Sequence, residues 1–179
     1  DPMVAELPQA LRELPAVKNL DKLEFPREDA LSLQEAVWLR DLSGWARGDT
    51  LDELEQARKL FDWTVRSIQL EPAPIGPDGQ AVQPVRQTPW EILLFGQGTP
   101  MDRAWIFILL ARQQGIDAAV LALSDPGDPA GGRLRPWAVG VLWKSRLYVF
   151  DVALGLPIPA PGDIKLGDDG QLDIRPATL

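Results

Sequence analysis

The chain contains no cysteine and no histidine. Each absence removes chemistry. Without thiols there is no disulfide, so packing alone must hold the fold. Without thiol or imidazole there is no Cys–His pair and no Ser–His–Asp triad. A zinc site built on sulfur or imidazole ligands is excluded for the same reason. Only carboxylates remain for a hard cation or for acid–base work. Basic residues are in the minority, 18 against 26 acidic, for a net charge of −8. That balance argues against nucleic-acid binding, which rests on a basic surface. Long hydrophobic runs are missing too. The longest, Ala104 to Ala111, is too short to cross a bilayer.

What is present suits one domain with a proper core: 179 residues, 45% of them hydrophobic, and seven Trp. No internal repeat is visible. The chain begins at Asp1, which reads as a piece of something longer. A signal segment removed ahead of Asp1 would make it extracytoplasmic; the sequence itself specifies no compartment and no oligomeric state.

Residues 1–30, broken by Pro2, Pro8, Pro15 and Pro26, read as an arm of one or two helical turns. Residues 31–179 read as the domain. Four helix starts carry a hydroxyl followed three residues later by an acid: Ser32/Glu35, Thr50/Glu53, Thr88/Glu91 and Thr99/Asp102. In such a capping box the hydroxyl accepts an orphan N–H and the acid reaches back. The spacing predicts helices over Leu33–Arg47, Leu51–Leu70, Pro89–Phe95 and Pro100–Gln114. The first has a stripe of Trp38, Leu42 and Trp45. The second has Leu51, Leu54, Ala57, Phe61, Val65 and Ile68. The last contains AWIFILLA, apolar all round, and reads as a central buried helix with Trp105 in the core.

Residues 71–87, rich in Pro and Gly, form a long loop. Strands follow at Ile116–Leu123, Pro136–Trp143 and Arg146–Val152, with Lys144-Ser145 as a tight turn. Two short edge strands flank a DDG turn between Leu166 and Leu172. Helices followed by strands give an α+β fold: a helical N-terminal half, its central helix packed on an antiparallel sheet. The pairs Asp125/Asp128 and Asp168/Asp169 lack the twelve-residue loop and terminal Glu of a calcium site. They read as solvated turns, and no metal or other cofactor is expected.

Gly98-Thr99-Pro100-Met101-Asp102-Arg103-Ala104, then LLARQQGIDAAVL, RPWAVGVLW and YVFDVALGLPI, together resemble the transglutaminase-like core, which has the papain-like cysteine-protease fold. The resemblance covers residues 50–160 and implies a catalytic Cys at position 100, a His at 135 and an Asp at 151. The chain has Pro100, Arg135 and Asp151. Pro suits the first helical position but brings no nucleophile. Arg stays protonated and cannot be a base. The resemblance therefore implies a degenerate, non-catalytic member, of bacterial source, that binds an extended peptide or protein partner or serves as a structural module. Thr99, Asp102, Arg103, Trp137, Asp151 and Trp90 are the candidate binding residues. Each has a plainer role. Thr99 and Asp102 can be a helix cap. Arg103 can make an ordinary ion pair. Asp151 can cap a strand-end turn. Trp90 and Trp137 can be packing aromatics. The alternative is a hydrolase or transferase on the same fold using Thr99 or carboxylates.

Overall fold

The computed structural model describes residues 7–18, 25–72, 75, 77, 79–80, 86–124, 134–167, 170 and 172–179. The turns carrying Asp125, Asp128, Asp168 and Asp169, and most of the 71–87 loop, lie outside the described residues. The chain divides into two units, Asp1–Ala36 and Val37–Leu179. The first contains two single-turn helices, α1 (Gln9–Arg12) and α2 (Pro15–Lys18), and the opening turns of α3 (Arg27–Arg47). Helix α3 starts six residues earlier than Ser32 suggests. The Pro26 carbonyl accepts from the amides of Asp29 and Ala30, and Glu28 and Asp29 favour the positive helix end. Ser32 is thus helical, not a cap; its hydroxyl donates to the Glu28 carbonyl at 2.9 Å. Gly48 ends the helix at φ 63°.

In the second unit the buried line of α3 is Leu39 and Ser43, not Trp38 and Trp45. Trp45 is 72% exposed and meets Trp63 edge to face. The buried Ser43 hydroxyl donates to the Leu110 carbonyl at 2.8 Å and accepts from Gln114 Nε2 at 2.9 Å. Helix α4 (Glu53–Ser67) is capped by Asp52, whose side chain accepts from the Glu55 amide at 2.9 Å. Thr50 is passed over, because a carboxylate stands two residues closer to the first turn. Leu51 consequently lies outside the helix and is exposed. Leu60 and Thr64 join Ala57, Phe61 and Ile68 in the interior.

Residues after α4 form β1 (Gln69–Leu70), which pairs in parallel with β2 (Gln97–Gly98). Between them lies α5 (Pro89–Phe95), and immediately after β2 comes α6 (Pro100–Gln113). The main sheet has four antiparallel strands in sequence order: β3 (Asp117–Ser124), β4 (Leu134–Trp143), β5 (Arg146–Asp151) and β6 (Leu156–Pro157). Lys144 and Ser145 turn the β4–β5 corner at φ 47° and 60°. This is the left-handed twist that two-residue hairpins need, taken without Gly or Asn. The tail pairs β7 (Pro159–Leu166) with β8 (Leu172–Pro176). Among the described residues, no helix is long and apolar enough to cross a membrane.

The core lies where α4 and α6 meet the sheet. Phe61, Phe107 and Phe150 form a ring triangle with centroids 5.0–5.5 Å apart. Each such pair contributes about 0.5–1.5 kcal/mol beyond the area it buries. Helix α6 is less enclosed than its sequence suggests. Trp105 is 43% exposed, while Ile106, Phe107, Leu110 and Ala111 are fully buried. The helix thus keeps Met101 and Trp105 in contact with water.

Candidate functional site

The site forms around the start of α6. Thr99 is its N-cap: its hydroxyl accepts from the Asp102 amide at 3.2 Å and donates to Asp102 Oδ2 at 2.8 Å. The Thr99 amide donates to the same carboxylate oxygen at 2.8 Å. Pro100 takes the first helical position, where a missing N–H costs nothing. Gly98 is required just before it, since a Cβ there would stand 2.9 Å from Asp102 Cβ. Thr99 and Asp102 are therefore engaged with each other through side chains and backbone amides.

One turn on, Arg103 is buried, 6% exposed. Its expected ion pair is replaced by backbone carbonyls. Nη1 donates to Val152 O at 2.8 Å, Nε to Ile68 O at 3.2 Å, and Nη2 to Ile68 O and Val65 O. Val65 and Ile68 lie at the end of α4, where carbonyls lack helical partners and favour a cation. Burial pushes the guanidinium below the usual arginine pKa. Arg103 ties α4 and the end of β5 to α6.

Asp151 ends β5. Its Oδ1 accepts from the amides of Ala153 and Leu154, both at 2.9 Å. Gly155, at φ 74°, completes the turn, and a Cβ there would approach Val65 Cγ1 to 2.9 Å. Arg103 and Asp151 together hold the 152–155 turn against α6.

This turn walls a pocket of about 260 Å³ lined by Pro100, Met101, Ala104, Val120, Pro136, Trp137, Ala138, Val152 and Ala153. None of these side chains ionises. Trp137 enters through a bulge. Leu121 pairs with Ala138 and Ala122 with Pro136, so Trp137 is an extra residue in β4. Bulges re-aim side chains beside functional sites. This one also reverses the alternation: Pro136 shares the pocket side with Ala122, and Arg135, opposite Leu123, falls on the other sheet face. Pro100 and Trp137 thus come together. Arg135 and Asp151 are absent from the lining. Trp90 is elsewhere as well. It stacks on Trp38, centroids 4.1 Å apart, beside a separate apolar pocket of about 410 Å³ with Asp41, Leu42, Trp63, Leu93 and Leu94. A third, charged hollow of about 330 Å³ lies between α4 and the β6 and β8 strands. Among the described residues no cluster of three acids could hold a metal ion.

No family profile matches the chain, and no curated protein matches it. Solved structures do. The chain is similar to a "putative protease" from Parabacteroides distasonis, with TM-score 0.51 and 16% identity over 65% of this chain. It spans 23% of that structure's length. A "putative cysteine protease" from Cytophaga hutchinsonii matches with TM-score 0.49 and 13% identity, over 68% of this chain and 39% of that one. The architecture is α+β, helices packed on an antiparallel sheet, and it shares its fold with the first of these protease structures.

Proposed function

We propose that the chain is a transglutaminase-like domain that has left cysteine chemistry behind and holds an extended peptide or partner segment along the Pro100 groove. One observation carries the reading. Pro100 opens α6 at the mouth of an apolar pocket, at the position where the resemblance implies the nucleophile, in a chain without Cys or His. Residues 31–179 form this module and residues 1–30 its arm. The non-ionising lining suits an uncharged side chain of the bound segment, with Trp137 as the main contact. Asp151 contributes by fixing the 152–155 turn that walls the pocket, and Arg103 by clamping the same turn. The engagement of the Thr99 hydroxyl with Asp102 supports binding over a threonine-based reaction.

The test is peptide capture from a displayed library of extended sequences, followed by affinity measurement. Trp137→Ala should weaken binding at least tenfold, on the order of 1.4 kcal/mol. Asp151→Ala should weaken it less, through the turn. Full affinity in both variants sinks the groove assignment. A hydrolase or transferase activity abolished by Thr99→Ala would replace the proposal with an enzymatic one.

A further inference from the structure

Among the described residues, the main sheet has one edge that is closed and one that is open. On the closed side, β6 pairs with Phe150 and Asp151, and the C-terminal tail covers the rest. The Val149 amide donates to Ala177 O, the Leu179 amide to Leu147 O, and Tyr148 bridges Thr178. On the other side, β3 is the terminal strand, paired only with β4 among the described residues.

Natural edges are blunted by brevity, by Lys or Pro, or by a bulge that twists the edge away. Strand β3 uses none of these. It is eight residues long, and its central stretch Ala118–Leu123 has neither a charge nor a proline. The bulge at Trp137 lies in β4, so β3 itself stays regular. Ala119, Val120, Ala122 and Leu123 are exposed.

We infer that β3 pairs antiparallel with β3 of a second copy of this chain, about a two-fold axis at Val120, making one continuous eight-stranded sheet. The strand fits its own copy. A two-fold normal to the sheet keeps each face continuous, so only residues of equal parity can oppose each other. Centred on Val120, Ala119 meets the second copy's Leu121, and Ala118 meets its Ala122. Small residues thus oppose large or small ones, and no two large side chains collide except Val120 with its own copy at the axis. Asp117, the only ionised residue of the strand, meets Leu123 rather than another carboxylate. In a chain of net charge −8, this is a stretch along which two copies can approach without opposing charges. Two β3 edges consume each other, so the assembly closes as a dimer and does not propagate. Val120 lines the Pro100 pocket, so the second copy stands beside it. The inference does not depend on what that pocket holds.

Sedimentation equilibrium of the whole chain reads the assembly. The wild type should be a dimer. Ala119→Glu with Leu121→Glu places carboxylates opposite one another, and should weaken dimerisation at least tenfold. Both positions lie on the sheet face away from the pocket, and an unchanged thermal melt in dilute solution confirms folding. Because the chain has no cysteine, Val120→Cys supplies a single thiol at the axis. Mild oxidation at low protein concentration should cross-link it quickly, and should leave Ser124→Cys uncross-linked. A wild type that stays monomeric through the high-micromolar range overturns the inference. So does a dimer that survives the double substitution, or equal cross-linking of both cysteine variants. A monomer that captures a foreign apolar strand, lost in Ala119→Glu, gives the edge to another partner and overturns the second-copy assignment.

Discussion

Helices α5 and α6 begin with nearly the same tetrapeptide, Thr88-Pro-Trp-Glu91 and Thr99-Pro-Met-Asp102. Both form complete capping boxes with Pro at the first helical position. One stands at the surface and the other at the mouth of the candidate pocket. The comparison bears on Pro100. At α5 the same signature merely starts a seven-residue helix. Position 100 therefore carries an ordinary helix opening, sufficient in itself without any reactive role. The helices diverge one residue later. Ile92 and Arg103 occupy the same position after the box and both are buried, one among apolar side chains and the other among carbonyls. What distinguishes the pocket helix is thus not its cap but the cation behind it.

Removing that cation should have the largest effect. Arg103→Met keeps the bulk but leaves the carbonyls of Ile68 and Val152 without their donor. At about 1–3 kcal/mol for each orphaned group, the loss is on the order of 2–6 kcal/mol, measurable by chemical denaturation. Ile92→Ala, the matching change in α5, removes apolar volume and should cost about 2–5 kcal/mol. The two differ in kind. Only Arg103→Met should release the 152–155 turn, seen as faster amide exchange at Ala153 and Leu154. Equal exchange in both variants would break the distinction drawn between the helices.

The caps come next. Thr99→Ala should cost about 1–2 kcal/mol, and Thr88→Ala should fall nearer ~0.5 kcal/mol, within the span known for lost N-caps. The asymmetry follows from burial. The α6 box is half-buried and must stay formed for Pro100 and Met101 to wall the pocket, whereas water can replace the Thr88 hydroxyl. Paired thermal melts decide it, and a larger loss at Thr88 would mean that the exposed helix matters more than the core-facing one.

These two helix starts were also the most legible parts of the sequence, together with the span Pro89–Phe95 and, to within one residue, Pro100–Gln113. A Thr-Pro pair with an acid three residues after the Thr combines three independent signals, and nothing nearby competes. At Ser32 and Thr50 the signal was a hydroxyl and an acid without the Pro, and a stronger starter stood close by: Pro26 in one case, Asp52 in the other. Hydrophobic periodicity located the main strands but could not see β1 and β2, two residues each, which are created by α4 and α6 meeting. Nor could it see the bulge. An extra residue in β4 becomes visible only when β3 fixes the register, and that residue decides that Trp137, not Arg135, faces Pro100. The partners of Arg103 were illegible for a related reason, since backbone carbonyls leave no trace in a residue pattern. An Arg set directly against an eight-residue apolar run, as Arg103 and Arg112 both are, was the one clue.

The smallest effect lies in the exposed box. The backbone amide of Thr88 donates to Glu91 Oε2 at 2.7 Å and its hydroxyl at 2.9 Å, and these bonds hold the Glu91 carboxyl below its ordinary value of 4.5. Hydrogen bonds to the charged form favour it. A carboxyl whose folded pKa is depressed contributes stability that is complete above the unfolded pKa and fades as pH falls through the folded one. Glu91→Gln should therefore show a small deficit in melting temperature at neutral pH, one that shrinks as the solution is acidified below the usual glutamate range. Site-resolved carboxyl titration of the wild type should place Glu91 below an unstructured glutamate. A deficit that persists unchanged in acid would mean that the amide replacement loses geometry rather than charge, and the α5 cap would then rest on shape alone.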